Sequence, residues 1–514
     1  MPIHRTSTPR WTRTACLALA LAVGAPAVVS PTAHAQLPGM GDSHDMTVAA
    51  ERRLGDRIMR EIYRDPDYID DPLIGEYLQS IWEPLREAAI KRGELTPDIQ
   101  ERFAWVVMQV RDRSVNAFAL PGGYMGVHLG LVGTVASRDE LASVMAHELS
   151  HVTQRHIARM MTEQGRQMPW VLGAMILGVL AAGKSPDAAN AAIVGGQALA
   201  VQNQLNFSRD MEREADRIGY GLMGQAGFDV SGFVTMFEKL QQASRLNDNG
   251  SFPYLRSHPL TTQRIADMQL RQQLDEKREA RVKTSLEHAV VSARARMMAN
   301  PSVDALRAAQ TQAQASGSGP SVEPRAAGDL YAAAWASMRL REFDRAREFT
   351  SRLASLVRDD VRASRAARLL RVEIELAEGN AQAALAALGP QTNTAARPEL
   401  FLRAQAESRL GRSADTVPAL QSWLARLPED TAAMQWLAGG YAAQGQPLRA
   451  LRTEAEIQVL RYDYQAAVDR FRAAQEMIRR GQAGRNPADH VEASIIDTRL
   501  REVESLLREQ RLER

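Results

Sequence analysis

Cysteine is nearly absent from this chain of 514 residues: Cys16 is the only one, so no disulfide framework can hold the fold. Metal ligands, if there are any, must come from His, Asp and Glu, a donor set suited to a cell envelope where free thiols would oxidise. Also missing is an excess of either charge. Lys and Arg total 63 against 61 Asp and Glu, a formal +2, and without a basic run this argues against nucleic acid as a partner. No apolar stretch reaches the about 20 residues that a membrane span requires.

What is present has the composition of a globular protein, 45% hydrophobic and 24% charged. The length points to two to four domains. At the N-terminus Arg5, Arg10 and Arg13 precede the apolar run 15–29 and then Ala33-His34-Ala35, which reads as a signal peptide over residues 1–35. Its removal would take away three arginines and no acids, leaving 2 − 3 = −1. On this reading the mature protein is exported.

Helical spacing of Val48, Leu54, Ile58, Met59 and Ile62 precedes RFAWVVMQV, a run suited to a strand. In residues 116–132 the turn Pro121-Gly122-Gly123 joins two short strand-like pieces, and its Pro and Gly content predicts an edge strand. Ser137-Arg138-Asp139-Glu140 has the form of a capping box opening a buried helix. Residues 169–183 and 191–201 are strongly apolar and read as a hairpin packed on the core, a lid, or a site of peripheral membrane contact. SRDMEREADRIGYGLM (208–223) predicts a charged amphipathic helix.

From about residue 285 the character changes. Residues 286–327 read as a helix and linker, 328–480 as helical pairs, and 481–514 as a C-terminal helix. Ala346, Ala384 and Ala419 recur close to the roughly 34-residue tetratricopeptide period, with Tyr331, Trp335, Trp436 and Tyr441 in first-helix positions. The predicted fold is mainly α: a domain of helices and a small sheet (36–285), followed by an α-solenoid.

The chemistry is concentrated in His147-Glu148-Leu149-Ser150-His151. Two histidines four apart on a helix present both rings on one face, the reach needed for two Zn–N bonds. Chance supplies on the order of 0.01 such matches in a chain of this composition. His156 lacks the spacing of a third ligand, since Gln154 and Ile157 replace the Gly and His of the longer motif, and is expected at the surface. A third ligand is sought in Glu212, because acids four apart, Glu212 and Asp216, repel unless a cation lies between them.

Together, HELSH, Asn116-Ala117-Phe118 with Pro121-Gly122-Gly123, SRDMEREAD, and Ser257-His258-Pro259 with Arg264 resemble the M48 family of zinc metallopeptidases. The signal peptide and C-terminal repeats resemble its periplasmic branch concerned with outer-membrane β-barrel assembly. The resemblance implies a zincin-like peptidase holding one Zn2+ per chain through His147, His151 and Glu212. It implies Glu148 as general base, Asp216 as a second acidic catalytic or supporting residue, and Arg264 and Asn116 as supporting residues. His258 is implied as an oxyanion stabiliser or a fourth ligand that keeps the enzyme latent. Implied partners are protein substrates, misassembled outer-membrane proteins among them, and the outer-membrane assembly machinery through the repeats. The competing expectation is a repeat-based chaperone with a latent or structural zinc.

Overall fold

The computed structural model describes residues 46–164, 209–245, 251–274, 284–315, 324–390, 396–481 and 487–512. The signal-peptide reading and both apolar stretches at 169–183 and 191–201 lie outside them.

Thr47 caps α1 (Val48–Ile62) by accepting from Ala50 N, and the helix buries Leu54, Ile58, Met59 and Ile62 at the expected spacing. After β1 (Tyr68–Ile69), Asp71 caps α2 (Pro72–Lys91). The short α3 (Pro97–Arg102) leads to β2 (Val106–Val110), inside the run read as a strand. β3 (Ala117–Leu120) and β4 (Tyr124–His128) form an antiparallel hairpin. Its turn passes through Gly122 and Gly123 at φ 78° and 86°, values that a Cβ disfavours. Strand order is β1-β2-β4-β3, with β2 and β4 parallel. Among the described residues β3 is therefore an edge strand, whereas β4, which carries Gly126 and belongs to the same segment read as an edge, lies inside the sheet.

A short α4 (Leu129–Thr134) precedes α5 (Arg138–Thr153), which is buried from Glu140 to Thr153. Ser137 Oγ accepts from Glu140 N at 3.1 Å, half of the capping box. The reciprocal bond is shifted by one residue, because Glu140 Oε2 accepts from Ala136 N. Then come α6 (His156–Gln164), α7 (Arg209–Ala226), α8 (Ser231–Arg245), α9 (Tyr254–Ser257) and α10 (Thr262–Leu274). α7 lies directly on α5. A Cβ at Gly219 would stand 3.1 Å from Ala146 C and His147 N, so any side chain there would press the two backbones apart by a few tenths of an ångström.

The remaining elements are helical: α11 (Leu286–Ala299), α12 (Val303–Ala315), α13 (Pro324–Arg339), α14 (Phe343–Leu356), α15 (Val361–Glu378), α16 (Ala381–Leu388), α17 (Arg397–Arg409), α18 (Val417–Leu424), α19 (Thr431–Ala443), α20 (Pro447–Leu460), α21 (Tyr464–Arg479) and α22 (Pro487–Leu512). The turn inside each successive helix pair passes through a left-handed residue, Arg341, Gly379, Gly411, Gly445 and Gly481, at intervals of 38, 32, 34 and 36 residues; of the turns between pairs, two are left-handed, at Gly389 and Tyr462. Tyr331, Ala346 and Ala384 are fully buried within the array.

Within residues 286–327, read as a helix and linker, the structure has two helices, α11 and α12, each packed on α13. α11 supplies Val291 and Ala295 to the core around α5, and Val290 and Ala293 to the core of the helical array. Its buried Arg294 pairs with Asp71 and Glu373 and donates to Tyr331 Oη at 3.0 Å. Near the far end of the array Tyr462, itself left-handed at φ 58°, places its hydroxyl 2.7 Å from that of Tyr124 in β4. Among the described residues no helix is long and apolar enough to cross a membrane.

Candidate metal centre

The floor of the site is α5. Four residues apart, His147 and His151 project to one side, and their Nε2 atoms stand 3.0 Å from each other. From α7, Glu212 brings Oε2 to 3.4 Å from His147 Nε2 and Oε1 to 3.5 Å from His151 Nε2. From the end of α9, His258 brings Nδ1 to 3.0 Å from Glu212 Oε1 and 3.3 Å from His147 Nε2. One ligand atom from each of these four buried residues lies within 4.8 Å of the others.

This donor set fits a zinc ion. Ligand bonds of 2.0–2.1 Å in a tetrahedron put neighbouring donors about 3.3 Å apart, the spacing seen here. Burial drives the His151 pKa well below its ordinary value, so its lone pair is available to a cation. Burial alone would raise Glu212, but His258 and His147 outweigh it and hold the carboxyl ionised.

The surrounding groups orient these donors. Asp216 Oδ1 is 2.9 Å from His147 Nδ1, which turns Nε2 toward the cluster. Arg264 donates Nε to Asp216 Oδ2 at 2.6 Å and Nη2 to Oδ1 at 2.8 Å, while Nη1 lies 2.7 Å from Glu212 Oε2. The cation between the two acids of α7 is thus a guanidinium. It outweighs burial to keep the Asp216 pKa below the usual range.

Glu148 points away from the two rings, toward the sheet. Ala119 N, on the side of β3 away from β4, donates to Glu148 Oε2 at 3.0 Å. Oε1 has no aligned hydrogen-bond partner among the described residues, although His258 Nε2 stands 3.3 Å from it. Burial raises the Glu148 pKa, against the pull of His258 and His147. Such a carboxyl is suited to accept and return a proton near neutral pH. Asn116, just before β3, is buried with Oδ1 unpartnered among the described residues and stands outside the four-residue cluster.

One expectation is overturned. His156 is not at the surface but fully buried, with Nδ1 2.8 Å from His151 Nδ1 and Nε2 3.0 Å from Glu214 Oε2. The cause is Arg155, at φ 51°, which breaks the helix and restarts it as α6, swinging His156 back beneath His151. Tyr254 was also missed; its ring stacks on His258 at 4.6 Å and 27°. Its position four residues before His258 was a weak cue at most.

Two buried histidines one helical turn apart, a carboxylate from a crossing helix and an edge strand beside the adjacent glutamate define a metallopeptidase-type centre. Residues 80–272 match peptidase family M48, and the chain carries an M48 peptidase domain. Over 253 residues it is 36% identical to the putative beta-barrel assembly-enhancing protease of Vibrio cholerae, covering 48% of this chain and 50% of that protein. Over 255 residues it is 34% identical to the beta-barrel assembly-enhancing protease of Escherichia coli K12, covering 49% and 50%. The mitochondrial metalloendopeptidase OMA1 of Arabidopsis thaliana is 36% identical over 159 residues, 31% of this chain and 30% of that protein. The chain spans about half the length of the first two relatives.

Proposed function

We propose that this protein is a periplasmic zinc-dependent endopeptidase of envelope protein quality control. The observation that carries the reading is the convergence of His147, His151 and Glu212 beside a buried, proton-accepting Glu148. His147, His151 and Glu212 would hold the ion. Bound there, zinc supplies the Lewis acidity that polarises a peptide carbonyl and acidifies water. Glu148 takes the proton of the attacking water on Oε1, its other oxygen being anchored by Ala119 N, and delivers it to the leaving amine. Asp216 holds His147 in the required tautomer, and Arg264 fixes Asp216. An extended substrate pairs with the outer edge of β3, which runs past Glu148.

His258 supports a second reading. With Nδ1 among the ligand atoms it closes the donor set to four, the pattern of a structural or latent zinc. An active enzyme then requires His258 to leave that place, where it becomes available to stabilise the oxyanion.

The helical array, with its recurrence near 34 residues, supports a tetratricopeptide-type solenoid that recruits clients or docks on an assembly machine. The names of the bacterial relatives support outer-membrane β-barrel proteins as clients and an assembly-assisting role beside proteolysis. Crosslinking from the array surface in cells would identify them.

The test is zinc content and β-casein cleavage by the wild type, Glu148→Gln and His258→Ala. Zinc in all three, cleavage by wild type or His258→Ala, and none by Glu148→Gln is expected. Zinc without cleavage in both wild type and His258→Ala would sink the peptidase reading and leave the repeat-based chaperone.

A further inference from the structure

We propose that His156 and Glu214 are positioning residues that fix and polarise the His151 ligand through a two-step hydrogen-bond relay. The inference rests on the metal-centre reading above and extends it.

Three contacts define the relay. His151 Nδ1 meets His156 Nδ1 at 2.8 Å, His156 Nε2 meets Glu214 Oε2 at 3.0 Å, and Arg159 Nη1 donates to the same oxygen at 2.9 Å. Once His151 Nε2 is given to a metal, the protons along this chain have a single arrangement. His151 must carry its proton on Nδ1 and donate it to His156 Nδ1, so His156 carries its own on Nε2 and donates it to Glu214. Each donor points toward the carboxylate, whose charge makes His151 Nε2 a stronger ligand. The two ligand histidines are thus served differently: His147 meets its carboxylate, Asp216, directly, whereas His151 reaches Glu214 through an intervening imidazole.

The backbone is built to hold this arrangement. Arg155 adopts a left-handed φ of 51°, disfavoured for a side chain with a Cβ, and that turn places His156 under His151. Arg155 Nε is tied at 2.8 Å to Glu51 Oε2, a buried acid of α1. The His151 and His156 rings meet edge to face at 4.8 Å, so the relay is packed as well as bonded.

The experiment titrates the full-length apo-protein with Zn2+ against a chromophoric chelator and records the visible absorption of the Co2+-loaded form. His156→Phe keeps the ring packing and removes both nitrogens; Glu214→Gln keeps an acceptor and removes the charge. The expected result is a fall in Zn2+ affinity of roughly 100-fold for His156→Phe and roughly tenfold for Glu214→Gln. Altered Co2+ bands in both variants, and an unchanged apo-protein melting temperature in Glu214→Gln, should accompany it. A role confined to packing would spare affinity and spectrum in Glu214→Gln. If His156→Phe does not fold, Glu214→Gln decides, because Glu214 lies partly exposed outside the core. Wild-type affinity and bands in the folded variants overturn the relay and leave the metal centre intact; a wild type that binds no metal overturns both.

Discussion

Ala119 and Glu148 are joined by one hydrogen bond of 3.0 Å, from the backbone of an edge strand to the carboxylate beside the two ring donors. The strand offered to a substrate and the proton acceptor thereby share a fixed geometry. Ala119→Pro removes the donor without removing a rung of the sheet, since that N–H points away from β4. Casein turnover should fall by roughly 10- to 100-fold, a loss that reaches only the lower end of what a general base supplies because Glu148 itself is retained, while zinc content stays at the wild-type level. Unchanged kcat would mean that the bond has no part in holding Glu148.

Arg264 neutralises two buried acids at once, Glu212 and Asp216. Arg264→Met should cost about 3–5 kcal/mol in urea unfolding of the chelator-treated protein, because it strands both charges. Added zinc should restore part of that loss by engaging Glu212. Arg264→Lys should fall between the two, keeping the charge but losing the fork that grips Asp216. A loss below about 0.5 kcal/mol in Arg264→Met would mean water has replaced the guanidinium.

Gly219 sets the distance between the helices that carry the ligands. Gly219→Val should push α7 off α5, costing about 1–3 kcal/mol of stability and weakening zinc binding. Gly224→Ala is the control: its Cβ would meet nothing nearer than Val230 at 3.6 Å, so stability should hold or rise. Equal zinc affinity in the two variants would show that helix spacing does not govern the site.

His128 provides a pH signature away from the metal centre. Burial lowers its pKa from 6.5 to about 4, with only Asp112 opposing, and its ring faces Ser114 Oγ and Phe118. The unfolded chain takes up this proton below pH 6.5 while the folded chain resists it. The stability is therefore complete above pH 6.5 and is lost as pH falls toward 4, on the order of 3 kcal/mol in all. Urea unfolding of His128→Gln should show a shallower decline across that window than the wild type. Parallel pH profiles would assign the acid sensitivity to other groups.

Parts of this architecture were legible because they follow short periodicities. His147 and His151 share a helix face by their spacing, and Pro121-Gly122-Gly123 announces a turn and an edge strand. The Ala-rich helices declare themselves by recurrence. The approach of Glu212 was readable only from the zinc requirement and the repulsion between acids; the guanidinium between them comes from Arg264, about fifty residues later in the chain. His156 was misread because an unbroken helix would place it on another face, and no residue type in Gln154-Arg155 announces a left-handed break. The Ala119–Glu148 bond was invisible, since a backbone donor has no signature in composition.

The meeting of Tyr124 and Tyr462 changes what it means to study the peptidase portion separately. Arg52 donates to Tyr462 Oη at 3.1 Å, and Asp56 accepts from Tyr124 Oη at 2.7 Å, so four side chains knit the sheet to the far end of the helical array. A fragment ending before residue 462 would leave two groups each short of a partner, the Tyr124 phenol on the strand next to β3 and the Arg52 guanidinium of α1. Its activity would describe a differently supported sheet, so kinetics assigned to the native site require a chain that keeps Tyr462 in place.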